Sequence, residues 1–259
     1  MSTASRVTDY DSVAAGYDVR YRNFDYGDIK EALVAFLGAT PIERILEVGC
    51  GTGFWLSALA GRAPVVAGID RSGEMIARAK GKDALLVRAA AEALPIRDAA
   101  FDRIVCINAL HHFSDRDRFF AECRRVLRSH GGVFTVGLDP HAGRDEWWIY
   151  DYFPETRDID RHRYPAVRTI RGELVRADFT WSESYEVQTF EHTMPAREAF
   201  ERGLVARSFS SQLTVLSNAE YDAGVARIRE AMTDAEKNGG ELMLASELHL
   251  FATTGWQAA

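Results

Sequence analysis

Short, uninterrupted apolar runs alternate with stretches of helical periodicity through the first half of the chain. The runs are Arg44–Val48, Val65–Ile69, Ala84–Val87, Arg103–Ile107 and Val133–Val136, and amphipathic stretches such as Phe54–Ala60 and Arg118–Leu127 fall between them. Runs without polar alternation are strands buried on both faces, and their alternation with helices predicts consecutive βαβ units with right-handed crossovers around a parallel sheet. Upstream, Ile29, Leu33 and Phe36 share one face of a predicted helix over Asp28–Leu37, preceded by a Tyr-rich segment from Tyr10 to Tyr26.

After Leu138 this rhythm stops. Ala166–Ala177 reads as a helix, Ser184–Phe190 alternates as a strand, and Pro195 opens another helix. Asn218 is placed to cap a helix running to Lys237 that Gly239 and Gly240 close, and Glu241–Phe251 reads as a last strand. The interval from Met194 to Gly240 is too long for a hairpin. With no Gly/Ser/Pro-rich linker around it, it reads as helices inserted into the same domain.

Composition then narrows the class. The 259 residues, 47% hydrophobic and 27% charged, are enough for a packed core without disulfides or metal. Cys50, Cys106 and Cys123 form no Cys-x-x-Cys pair, which argues against a disulfide framework or a structural zinc site and fits a reducing cytoplasm. Met1–Tyr10 has no apolar core of a secretory signal, and no apolar run is long enough for membrane insertion. A net charge of −7 weakens the case for nucleic-acid binding, which rests on Lys and Arg at phosphates.

The most informative segment is Ile45-Leu46-Glu47-Val48-Gly49-Cys50-Gly51-Thr52-Gly53-Phe54, a buried strand leading into a glycine turn and a helix. Glycines there let backbone approach a ligand, although close packing alone also demands them. The dinucleotide fingerprint needs a glycine where Phe54 stands, and no Gly-Lys-Ser/Thr follows for a phosphate loop. Asp70 ends the next strand, where a carboxylate takes both hydroxyls of a ribose. A ribose without a pyrophosphate points to an adenosine sulfonium ligand rather than NAD.

With these motifs the chain resembles the class I S-adenosylmethionine-dependent methyltransferases, specifically the small-molecule group that includes the quinone-biosynthesis enzymes. The resemblance covers about Tyr10 to Asp139. Glu47 to Gly53 matches the first motif, Asp70 the ribose acid, Ala91-Glu92-Ala93-Leu94-Pro95 with Phe101–Val105 the adenine stretch, and Asn108–Phe113 the turn that receives the methionine moiety. It implies cofactor contacts at Tyr17, Glu47, Gly49, Cys50, Gly51, Gly53, Asp70, Arg71, Met75, Ala91, Glu92, Asn108 and Ala109, with Tyr17 in an N-terminal segment folded over the cofactor. Ala90 replaces the usual acidic partner of the adenine amino group, which leaves adenine to backbone groups around Ala91 and Glu92. Ser129-His130-Gly131-Gly132 replaces a Lys-Pro-Gly-Gly.

The fold so implied is a single Rossmann-like, doubly wound α/β domain with a mostly parallel seven-stranded sheet, an N-terminal helical cap over residues 1–40, a cofactor core over 41–138, and sheet completion over 139–259 that includes a substrate-covering helical insertion at about 194–240. The implied reaction moves a methyl group from S-adenosylmethionine to a small-molecule acceptor at oxygen, nitrogen or carbon. The alternative is a protein that binds this cofactor without methylating anything. His111, His112 and His141 are candidate general bases, and each has a plain alternative: the first two shape the turn, and His141 is a solvated loop residue. No metal-binding spacing occurs. The prolines and aromatic that cradle nucleic-acid amines are absent after the fourth strand. Trp147–Phe153 reads either as an acceptor-stacking surface or as the packed face of a helix. Nothing in the sequence sets the oligomeric state.

Overall fold

The computed structural model describes Asp11, residues 18–39 and residues 41–258; Tyr10 and Tyr17 lie outside these. In chain order the elements are α1 (Val19–Asn23), α2 (Gly27–Leu37), β1 (Arg44–Val48), α3 (Phe54–Leu59), β2 (Val65–Asp70), α4 (Gly73–Ala79), β3 (Leu85–Arg88) and β4 (Phe101–Ile107). A 3-10 turn at Leu110–His112, α5 (Arg116–Val126), β5 (Leu127–Leu138), β6 (Glu146–Trp147), α6 (Trp148–Tyr152), α7 (Glu155–Arg163) and α8 (Val167–Arg176) follow. The chain continues through β7 (Trp181–Pro195), α9 (Ala196–Glu201), α10 (Ser211–Thr214), α11 (Asn218–Lys237) and β8 (Met243–Trp256).

Two compact units divide the chain. A sheet unit comprises Tyr26–Asp139, Tyr164–Gln188 and Leu250–Ala259, and a helical unit comprises Met1–Asp25, Pro140–Arg163 and Thr189–His249. In the sheet unit the strand order is β3-β2-β1-β4-β5-β8, parallel except that Leu250–Trp256 runs antiparallel to Gly132–Leu138. The order reverses between β1 and β4, the switch point where open α/β sheets place ligands at the strands' carboxyl ends. Ile45, Leu46, Val48, Ile104 and Val105 are fully buried because helices cover both faces. Phe119, Phe120, Cys123 and Val126 of α5 complete that core, and Phe36 of α2 stacks on Phe134 at 5.2 Å.

β5 starts six residues before the apolar run that announces it. Its register on β4 shifts from Phe101↔Leu127 to Arg103↔Gly132, so the polar Ser129 and the positive-φ His130 are accommodated as an irregularity inside a strand. The Trp256 ring lies where a Cβ on Gly132 would stand, 2.7 Å from it, and the Arg103 guanidinium sits 4.7 Å above that ring.

Within the helical unit, Trp147, Trp148, Ile149, Tyr150 and Phe153 are all buried and form its core, with the Phe153 ring filling the space a Cβ on Gly224 would need. The segment packs into the core of the helical unit rather than on the sheet core. The two-residue β6, paired with Ser246 and Glu247 of β8, raises the expected seven strands to eight. The α11 cap also differs from the sequence reading: Ser217, not Asn218, is the N-cap, in a reciprocal box with Glu220. Asn218 is the first helical residue, and the capping oxygen one position earlier reaches the Glu220 amide.

Candidate active site

The turn after β1 is built by the chain satisfying its own amides. Gly49 and Cys50 donate to the Ile69 carbonyl at 2.8 and 3.0 Å, Gly53 donates to Cys50, and Gly51 donates to Oδ2 of Asp70 at 2.9 Å. Gly49, Gly51 and Gly53 all have positive φ, which L side chains adopt at a cost. At Gly49 a Cβ would lie 2.4 Å from the Ala109 Cβ, so glycine lets the β1 turn and the β4 turn touch. A phosphate-binding loop points unsatisfied N–H groups at its ligand. Here those four donors are spent internally, and the turn offers a surface rather than an anion nest.

Asp70 joins the two strand ends. Its Oδ2 accepts Gly51 and its Oδ1 accepts the Ser72 amide at 2.8 Å, while Ser72 in turn caps α4 through the Met75 amide. A carboxylate has about four acceptor positions, more than these two amides use, which suits a vicinal diol. Burial raises the Asp70 pKa above the ordinary carboxylate value, and the Ser72 and Gly51 amides oppose that shift. Beneath the turn, Glu47 is buried and its Oε2 has no hydrogen-bond partner. Burial, and then the nearby Asp70 charge, push the Glu47 pKa well up, opposed by the Leu56 amide in the first turn of α3. An orphaned buried carboxyl oxygen is the polar atom a bound ammonium or water would satisfy.

The other residues expected at the site divide. Ala91 and Ala109 are buried, Asn108 holds a positive φ and donates its amide to Val136 at 2.8 Å, and Met75 is buried inside α4. The Arg71 side chain is exposed. Cys50 is a packing residue: its Sγ would lie 2.9 Å from a Cβ on Gly68, and burial followed by the Glu47 and Asp70 charges keeps the thiol protonated. The Glu92 carboxylate turns onto the Ser114 amide and hydroxyl at 2.7 and 2.8 Å. Burial raises its pKa, but the hydrogen bonds from Ser114, its own amide and the Asp115 amide together outweigh that and the net shift is downward. This side chain fastens the chain after the 3-10 turn, and the Glu92 carbonyl accepts Nε of Arg118 at 2.7 Å.

His111 and His112 lie on that turn with ring centroids 3.8 Å apart, and His111 stacks on Tyr164 at 3.8 Å with 16° between the planes. Tyr164 belongs to no motif, and a ring contact between residues so far apart in sequence leaves no local signal. Ser72 does leave one, a serine directly before a helix start. His141 is exposed and belongs to the helical unit. Tyr17 falls outside the described residues. Among the described residues no three His, Cys, Asp or Glu are grouped to hold a metal ion, and no helix is long and apolar enough to cross a membrane.

Residues 46–135 match the family model described as a methyltransferase domain. The demethylmenaquinone methyltransferase of Thermotoga maritima is 32% identical over 155 residues, covering 57% of this chain and 68% of that protein. The malonyl-[acyl-carrier protein] O-methyltransferase of Geobacter sulfurreducens is 31% identical over 199 residues, covering 71% and 70%. In fold, the chain is similar to phosphoethanolamine N-methyltransferase 2 of Haemonchus contortus, solved with S-adenosyl-L-methionine, with a TM-score of 0.61 and 17% identity over 96% of this chain and 57% of that one. The chain belongs to the S-adenosylmethionine-dependent methyltransferase family.

Proposed function

We propose that the sheet unit holds S-adenosylmethionine with Asp70 on the ribose hydroxyls, the backbone of Ala91 and Glu92 along the adenine, and Glu47 with the Asn108–Ala109 turn around the methionine portion. The observation that carries this reading is the spent amides of Gly49, Cys50, Gly51 and Gly53 beside a half-satisfied Asp70. That arrangement serves a nucleoside and has nothing for a pyrophosphate. The buried Glu47 carboxyl and the half-buried Asp70 carboxylate also favour a ligand bearing positive charge.

Bound there, the cofactor supplies an activated methyl group on sulfonium. The chain's task is positioning, which is worth roughly 7–11 kcal/mol of a barrier when reacting groups are held in line. The acceptor is a small, planar or partly apolar molecule reacting at oxygen, nitrogen or carbon. Where it carries a proton, His111 on the 3-10 turn takes that proton, a role worth about 10²–10⁴-fold. His112 and His141 are the other candidates, and His111 is preferred because a fixed aromatic partner sets its ring.

Incubation with methyl-labelled S-adenosylmethionine and the low-molecular-weight ultrafiltrate of a cell extract tests the reading. Label is expected in an extractable small molecule. Label recovered only in protein or RNA contradicts the acceptor class.

A further inference from the structure

We propose that Tyr164 is a positioning residue for His111, clamping the imidazole in one orientation and favouring its protonated form during methyl transfer; this rests on the assignment of His111 as the base. The two rings are nearly parallel at 3.8 Å, and Tyr164 is buried. Leu110 is buried, Phe113 packs on Phe119 at 4.8 Å, and these two apolar side chains of the same turn already anchor it to the core.

Both partners are tied to one scaffold. The turn carrying His111 is closed by the His112 amide on the Ala109 carbonyl and held beyond its end by Glu92 on Ser114. The segment carrying Tyr164 enters α8, whose first amide, Val167, is accepted by Asp139 at the end of β5 at 2.9 Å. Farther along α8, the buried Glu173 accepts both Nε and Nη2 of Arg116, the first residue of α5. The segment after Tyr164 is thereby held to the end of β5 and to α5, the helix that follows the histidine turn, and a stacked imidazole cannot swing freely about its outer torsion.

The chemistry explains why an aromatic face belongs there. The acceptor's lone pair forms the new bond to carbon, the carbon–sulfur bond breaks with its electron pair left on sulfur, and the acceptor proton passes to His111. The positive charge that leaves sulfur reappears on the imidazolium, directly over the electron-rich face of Tyr164.

Histidine ring-carbon NMR spectra of the 259-residue chain with S-adenosylhomocysteine bound, together with methyl transfer into the ultrafiltrate, test the proposal. The His111 resonance, identified by its loss in His111→Gln, is expected at a ring-current-shifted position in wild type and Tyr164→Phe, and at an unstacked position in Tyr164→Leu. Turnover at saturating methyl donor is expected to fall roughly 10–100-fold in Tyr164→Leu and to recover in Tyr164→Phe, with cofactor affinity changed by less than about twofold. An unstacked His111 signal in wild type overturns the proposal even if Tyr164→Leu fails to fold. Unchanged turnover in Tyr164→Leu, or Tyr164→Phe as slow as Tyr164→Leu, also overturns it while the base assignment stands. Full turnover in His111→Gln overturns the base assignment and the clamp together.

Discussion

Oδ2 of Asp70 accepts the backbone N–H of Gly51 at 2.9 Å, and through that bond the carboxyl end of β2 fixes the shape of the turn that follows β1. The sharing runs both ways. The Gly51 and Ser72 amides hold the two Asp70 oxygens in place before any ligand arrives, so binding a diol costs little reorganisation of the acid.

Gly49→Ala should be far more damaging than Gly61→Ala, although φ is +75° at one and +73° at the other. Both substitutions meet left-handed backbone strain of about 1–2 kcal/mol. Only at Gly49 does the new Cβ fall 2.4 Å from another side-chain atom, adding about 1–3 kcal/mol of overpacking, whereas nothing lies within 4 Å at Gly61. Thermal unfolding of the two variants is the check, with the larger drop in Tm expected for Gly49→Ala.

Glu47→Gln should stabilise the ligand-free protein at high pH while weakening cofactor binding. The folded pKa of Glu47 is raised above its ordinary 4.5, so the folded state holds this proton more tightly than the unfolded chain does. Its contribution to stability is then full below about pH 4.5 and lost as the pH climbs toward the folded value, at about 1.4 kcal/mol per pH unit. The glutamine variant has no such slope. Urea unfolding at pH 5 and pH 8 should show its advantage over wild type growing with pH, and an advantage equal at both would contradict the buried-carboxyl account.

The α11 cap is tested by two neighbouring substitutions. Ser217→Ala removes the oxygen that accepts the Glu220 amide at 3.2 Å and should cost about 1 kcal/mol. Asn218→Ala, one residue inside the helix, should be close to neutral. A reversed order in chemical denaturation would restore Asn218 as the cap.

What was legible in the sequence follows from how local its causes are. β1 reads directly from Ile45, Leu46 and Val48 because a strand covered on both faces must be apolar throughout. The glycine turn and Asp70 read from spacing, since a strand length and a helix fix where the second carboxyl edge falls. The first half of β5 did not read, because a bulge filled by Ser129 and His130 and packed against the distant Trp256 has no periodicity of its own. The same holds for the roles of Glu92 and Tyr164, whose partners Ser114 and His111 are brought to them by tertiary packing. Ser217 was lost by one position, the usual ambiguity when two capping residues are adjacent.

Calorimetric titration of S-adenosylhomocysteine into wild type and Asp70→Ala tests the central claim most directly. Two hydrogen bonds to a charged acid, each worth about 1.5–3 kcal/mol, predict one-site binding in wild type and affinity at least roughly 100-fold weaker in the variant. Equal affinity in the two proteins would contradict the assignment of Asp70 to the ribose and the site built around it.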